Sequence, residues 1–90
     1  MKTEHGLFCN LKFMYKGFDV DPGRRIRFCR HMRNLECKEL AIKAGLSPSR
    51  LSALELNRSK AKPETYAKIA KALNLSVDEM FGLVPINWNK

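Results

Sequence analysis

The sequence has no apolar run long enough to cross a bilayer. Its most apolar early stretch, Leu7–Tyr15, is interrupted by Asn10 and Lys12 and falls well short of the roughly 20 residues a spanning helix needs. No small-residue cleavage site follows it, so the expectation is a cytoplasmic protein. Leu7–Phe18 also lacks an amphipathic period with a basic face, which argues against a membrane partner. Cysteine is scarce: Cys9, Cys29 and Cys37 cannot all pair within one chain, and none forms a CxxC pair. This argues against a disulfide framework or a structural zinc site and fits a reducing compartment. His5 and His31 add only two candidate ligands, and no four-ligand set at metal spacing results, although His5 and Cys9 are four apart. A Gly-rich phosphate loop and a paired-carboxylate constellation are also missing. The expectation is therefore no enzyme, no metal and no cofactor.

Acidic residues are in short supply as well, nine against seventeen Lys and Arg, and the imbalance is local. Eleven of the basic residues and four of the acidic ones lie in residues 21–62, a net of +7 out of the chain's +8. A concentrated basic field attracts polyanions such as nucleic acid or anionic lipid, although a solvated basic surface would look the same by charge alone. Ninety residues with 44% apolar content suit one domain with a modest core and little room for a cofactor cavity.

Residues 1–20 read as a separate apolar arm, with Leu7, Phe8, Leu11, Phe13, Met14, Tyr15 and Phe18 but no clean period. A short strand, a docked irregular arm or a helical turn would each fit. Gly17 and the Asp21-Pro22-Gly23 run break the chain. From Asp21 the pattern turns helical. Asp21 suits the N-cap, and Pro22 suits the first helical position, where a missing N–H costs nothing. Ile26, Cys29, Met32 and the stem of Arg33 recur at helical spacing to about Asn34.

A second helix spans about Glu36 to Ala44, with Leu40, Ala41 and Ala44 inward, and Gly45 ends it. Ser47 caps a third helix, Ser47–Leu56, with Pro48 at its start and Leu51 and Leu54 inward. Asn57 can take the left-handed position that follows. The basic loop Arg58-Ser59-Lys60-Ala61-Lys62 leads to Pro63, which opens a fourth helix striped by Tyr66, Ile69, Ala70 and Leu73. Ser76-Val77-Asp78-Glu79 is a capping box for a short fifth helix, closed by Gly82. The tail, residues 83–90, has no clear period. The expected fold class is all-α: five short helices over residues 21–82, with an arm of uncertain structure.

Two short helices joined by Gly45-Leu46-Ser47 make the central signal. A DNA-binding helix-turn-helix packs its first helix across the second, which enters the major groove. Ala41 is small enough for close approach, Gly45 allows the turn, and Leu51 and Leu54 anchor the second helix. Pro48, Ser49, Ser52 and Ala53 are left on the opposite side. Any helical bundle has short turns, but this one coincides with the charge peak.

The run Arg24–Gly82 resembles the Cro and phage-repressor family of helix-turn-helix domains, the XRE type. The resemblance rests on Gly23, Ile26 and Arg30, then Leu40-Ala41, Ala44-Gly45-Leu46-Ser47, Ser49, Leu51-Ser52 and Leu54-Glu55. Downstream it continues through Pro63-Glu64-Thr65, Ile69-Ala70, Ala72-Leu73, Leu75-Ser76 and Met80-Phe81. It covers about two-thirds of the chain in order, and implies a phage-repressor-like domain that binds double-stranded DNA as a homodimer on a pseudo-palindromic operator.

The resemblance also implies roles. Pro48, Ser49, Ser52 and Ala53 would read base edges, with Ser49 and Ser52 able to bond a base or a phosphate. Arg50 could reach guanine or face the flank of the groove. Lys38, Lys43, Arg58, Lys60 and Lys62 would hold phosphates, or stand as solvated charges. Arg30 and Glu55 match positions that form a partly buried ion pair, a structural role. Many relatives carry Ser-Gln at the start of the second helix, where this chain has Glu36-Cys37, so the usual clamp on phosphate is altered. Cys29 replaces a core Leu.

Two alternatives remain at this level. Cys37 at a helix N-terminus would have a lowered thiol pKa and could make binding redox-responsive, or it is a neutral substitution. The chain could also be the antitoxin of a toxin–antitoxin pair, with residues 1–20 or 83–90 holding the protein partner.

Overall fold

The computed structural model describes residues 13–89. The earlier part of the arm, including His5 and Cys9, lies outside the described residues. The described part of the arm is a hairpin: β1, Phe13–Tyr15, pairs antiparallel with β2, Phe18–Val20, with Phe13 opposite Val20 and Tyr15 opposite Phe18. Both turn residues, Lys16 and Gly17, have positive φ (53° and 83°), the backbone that matches the twist of a two-residue hairpin loop. Of the three forms the sequence left open for this arm, residues 13–20 take the strand. Val20 is buried, and the Tyr15 ring meets Phe81 edge to face at 5.1 Å, so the hairpin is packed onto the helices.

Five helices follow: α1 Pro22–Met32, α2 Cys37–Ala44, α3 Pro48–Glu55, α4 Pro63–Ala72 and α5 Val77–Phe81. Their starts follow from local chemistry. The Asp21 carboxylate accepts the Arg24 N–H at 3.2 Å, Ser47 Oγ the Arg50 N–H at 3.1 Å, and Ser76 Oγ the Glu79 N–H at 3.1 Å. Pro22, Pro48 and Pro63 stand at the first turns of α1, α3 and α4. Their ends share one device. A left-handed residue (Asn34, Gly45, Asn57, Asn74 or Gly82) lets the next N–H bond back to a carbonyl one turn earlier, as in Leu35 N–H to Arg30 O at 3.1 Å and Arg58 N–H to Ala53 O at 2.8 Å.

The core gathers one stripe from each helix. Ile26, Cys29, Leu40, Leu51, Leu54, Ile69, Leu73 and Met80 are fully enclosed. Met32, placed on the buried stripe from sequence, is instead 51% exposed. At about 100° per residue it sits roughly 120° around α1 from Ile26, whereas Cys29 and Arg33 stay close to the stripe. Cys29 fills its core position and lies 3.8 Å from the Met80 carbonyl.

Arg25 of α1 and Arg33, the C-cap of that helix, hold helix ends. Arg25 Nε donates to the Met80 carbonyl at 2.9 Å, and Arg33 Nε to the Leu73 carbonyl at 3.0 Å. Cations at helix C-termini answer the orphan carbonyls and the dipole there. Arg33 also lies over the Trp88 ring and donates to the Trp88 carbonyl at 2.9 Å. Buried Glu79 accepts from Ser76 N–H and, at 2.9 Å, from Asn87 N–H. These bonds dock the tail, which has no signal of its own in the local pattern.

Candidate nucleic-acid interface

The site begins with a short turn. Gly45 takes φ 75°, Leu46 N–H bonds the Ala41 carbonyl at 2.8 Å, and Ser47 opens α3. Leu51, Leu54 and Glu55 of α3 are buried against the domain. Pro48, Ser49, Arg50 and Ser52 are exposed, whereas Ala53 is half-buried. The Ser49 and Ser52 hydroxyls make no hydrogen bond among the described residues. Leu56, three and four residues beyond Ala53 and Ser52, is 43% exposed on the same side. Sequence reasoning missed Leu56, although its i, i+4 relation to Ser52 was there to be used.

Glu55 and Arg30 lock α3 to α1. Arg30 Nε donates to Glu55 Oε2 at 2.7 Å and Nη2 donates to Oε1 at 2.9 Å, while Nη1 holds the Leu35 carbonyl at 3.0 Å. Both side chains are nearly enclosed, at 11% and 5% exposure. The hydrogen bonds it donates to Glu55 raise the Arg30 pKa above its already high ordinary value, against the opposing pull of burial. A second lock joins the start of α1 to the end of α3. The Asn57 side chain accepts from Gly23 N–H at 3.1 Å and donates to Asp21 at 2.7 Å. Gly23 is a glycine for space: a Cβ there would overlap the backbone carbonyls of Leu54 and Glu55.

The charged residues divide into groups. Lys38, Arg58, Lys60 and Lys62 are exposed, and three of them share the loop that leads from α3 to α4. Arg50 turns toward that loop, with Nη1 donating to Ser59 Oγ at 3.1 Å and Nη2 to the Lys60 carbonyl at 3.3 Å. Its guanidinium thus lies along the loop in this structure. Lys43 stands elsewhere, in a groove with Lys68 and Lys71 of α4. The whole charge excess of residues 21–62 is therefore not offered to one ligand, because Arg25, Arg30 and Arg33 are used inside the fold.

At the start of α2, Glu39 accepts the Glu36 N–H at 2.8 Å, so this helix is capped without Ser-Gln. The Cys37 thiol lies 4.0 Å from the Pro48 carbonyl and so still touches the start of α3. Burial pushes its pKa up, and the Glu55 charge adds to the rise. That is the opposite direction from the lowered pKa expected of a helix start, and the Arg30 charge offsets only part of the rise. Among the described residues no cluster of three or more metal-ligating side chains occurs, and no helix is long and apolar enough to cross a membrane.

Residues 23–84 match the family described as Helix-turn-helix domain. No curated protein sequence matches the chain. Among solved structures, the clp gene regulator ClgR from C. glutamicum is 31% identical over 68% of this chain and 79% of its own, with a TM-score of 0.65. The restriction-modification controller protein C.AhdI from Aeromonas hydrophila is 29% identical over 69% of this chain and 94% of its own, with a TM-score of 0.66. SinR, the master regulator for biofilm formation, crystallised in complex with DNA, is 32% identical over 66% of this chain and 95% of its own, with a TM-score of 0.62. By its turn, its capped recognition helix and these likenesses together, the chain belongs to the helix-turn-helix family of Cro and phage-repressor type, a family of DNA-binding transcription regulators.

Proposed function

We propose that the chain is a sequence-specific repressor that works in the cytoplasm as a homodimer on a pseudo-palindromic operator in double-stranded DNA. The observation that carries this reading is the outer side of α3. Pro48, Ser49 and Ser52 stand exposed on a helix that the Arg30–Glu55 pair fixes to the domain. A recognition helix needs that combination of a free face and a rigid mount. Ser49 and Ser52 donate to or accept from base edges, half-buried Ala53 sits beside them, and Leu56 meets apolar groove features such as thymine methyls. Arg50, held on the loop, positions the flank. Lys38, Arg58, Lys60 and Lys62 contact phosphates, while Lys43 joins Lys68 and Lys71 in long-range attraction. With two small hydroxyls at the reading face, base discrimination is modest per protomer, and the dimer and DNA shape supply the rest.

A second reading, an antitoxin that also represses its own operon, has one observation in its favour. Phe28, Met32 and Val84 are exposed apolar side chains at 43%, 51% and 43%, on α1 and the docked tail. Such a surface suits a protein partner, either a second copy or a toxin.

Selection of binding sites from a random duplex pool by the purified chain tests the function. The expected outcome is an inverted repeat whose half-sites are one helical turn apart. Enrichment of no common sequence overturns the reading.

A further inference from the structure

Beside the loop from α3 to α4 lies a pocket of about 450 Å³ whose described lining shares Lys60 with the reading above. Tyr15 of β1, Pro63 and Tyr66 of α4, and Val77 and Phe81 of α5 wall it, and Lys60 of the loop completes it. The rings are set edge to face, Tyr15 on Phe81 at 5.1 Å and Tyr66 on Phe81 at 5.6 Å. Small-molecule sites run to roughly 300–1,000 Å³ and combine apolar walls with a few placed polar groups. Among the described residues that line it, only Lys60 carries a charge, and no described carboxylate pairs with it. Asp78, which adjoins Tyr15, is already held by Lys16 at 2.9 Å, so its charge is answered elsewhere.

We propose that this pocket is an effector site for a flat, mostly apolar carboxylate, its rings among Tyr15, Tyr66 and Phe81 and its anion on Lys60. The loop transmits the consequence. Its Lys60 carbonyl accepts from Arg50, its Ala61 N–H donates to the Tyr66 hydroxyl at 3.4 Å, and the Lys60 ammonium is among the phosphate contacts proposed above. A carboxylate that neutralises Lys60 removes one cation from the DNA side, so the effector weakens DNA binding. This coupling rests on the repressor reading, whereas ligand binding itself does not.

The test uses the full chain with 2-naphthoate and the neutral 2-naphthalenemethanol in titration calorimetry. Naphthoate is expected to bind one per chain and about tenfold more tightly than the alcohol, the size of one charge-assisted contact. Lys60→Met should erase that preference, and Ala67→Phe, which fills the pocket from its exposed rim, should abolish both. No heat with naphthoate to millimolar concentration, or binding indifferent to Ala67→Phe, overturns the proposal. So do NMR contacts from the Ala67 methyl to Leu7, Phe8 or Leu11 of the same chain, or to a second copy, which would assign the pocket to that occupant.

The coupling is read on a selected operator. Saturating naphthoate should lower affinity about fivefold and reduce the slope of log K against log salt by about one per protomer. Unchanged affinity overturns the effector role, and an absence of specific binding without naphthoate identifies a failure of the repressor reading instead.

Discussion

Replacing Glu55 by Ala while leaving Arg30 in place removes the acceptor of two charge-assisted hydrogen bonds, at 2.7 and 2.9 Å, from a site where both side chains are nearly enclosed. The guanidinium then keeps only its bond to the Leu35 carbonyl. Stranding one charge of a buried pair costs about 3–5 kcal/mol. In a domain of this size 1 kcal/mol moves Tm by about 4–8 °C, so a fall of roughly 12 °C or more is expected. Urea denaturation followed by circular dichroism measures the loss directly. The midpoint should drop while the slope against urea stays constant, because the surface exposed on unfolding is unchanged. The double variant Arg30→Met, Glu55→Leu should recover most of the stability, because an apolar pair of similar volume fills the same space. A loss below about 1 kcal/mol for Glu55→Ala would mean the pair behaves like an exposed surface bridge, and would refute the argument.

Other positions give sharper local tests. Gly23→Ala should destabilise by about 1–3 kcal/mol, the usual cost of overpacking, because the new Cβ meets the carbonyls at the end of α3; an unaltered melting curve would show that α1 can shift freely. The raised pKa of Cys37 keeps its thiol protonated at neutral pH, so alkylation by iodoacetamide, mapped by mass spectrometry, should be slower than for free cysteine, and peroxide should leave DNA affinity unchanged. Lys16 holds the Asp78 carboxyl below its ordinary range. A depressed carboxylate contributes stability above its unfolded pKa and loses it as pH falls through the folded one, so the hairpin should loosen on acidification, and Asp78→Asn should remove that step in NMR shifts of Tyr15 and Lys16.

Much of the fold was legible because its signals are local. Asp21, Ser47 and Ser76 as caps, Pro22, Pro48 and Pro63 after or at the helix starts, and Gly45 and Gly82 at ends each act within one turn of chain. The Arg30 and Glu55 positions were visible through family resemblance rather than spacing. What escaped depends on contacts distant in sequence. The tail is fixed by Arg33 and Glu79 reaching Trp88 and Asn87, and no period in residues 83–90 reports that. The hairpin needs Lys16 at positive φ, which a lysine seldom adopts, and its partner is Phe81 far down the chain. Asn34 and Asn74 end helices as Asn57 does, a pattern readable only when the three are compared. The charge peak overstated the free cations, since charge counts cannot tell Arg25 on a helix end from Lys60 on an open loop.

The central claim, a free α3 face that reads bases with loop cations on phosphates, meets its most direct test in affinity for a selected operator and for random duplex across a salt series. With Lys38, Arg58, Lys60 and Lys62 engaged in each half of a dimer, log K should fall against log salt with a slope of about −7. Operator binding should exceed random-duplex binding by about a thousandfold or more, and Ser49→Ala with Ser52→Ala should erode that ratio while leaving the salt slope in place. Near-equal affinity for the two duplexes, or a ratio untouched by the double serine change, would contradict the account.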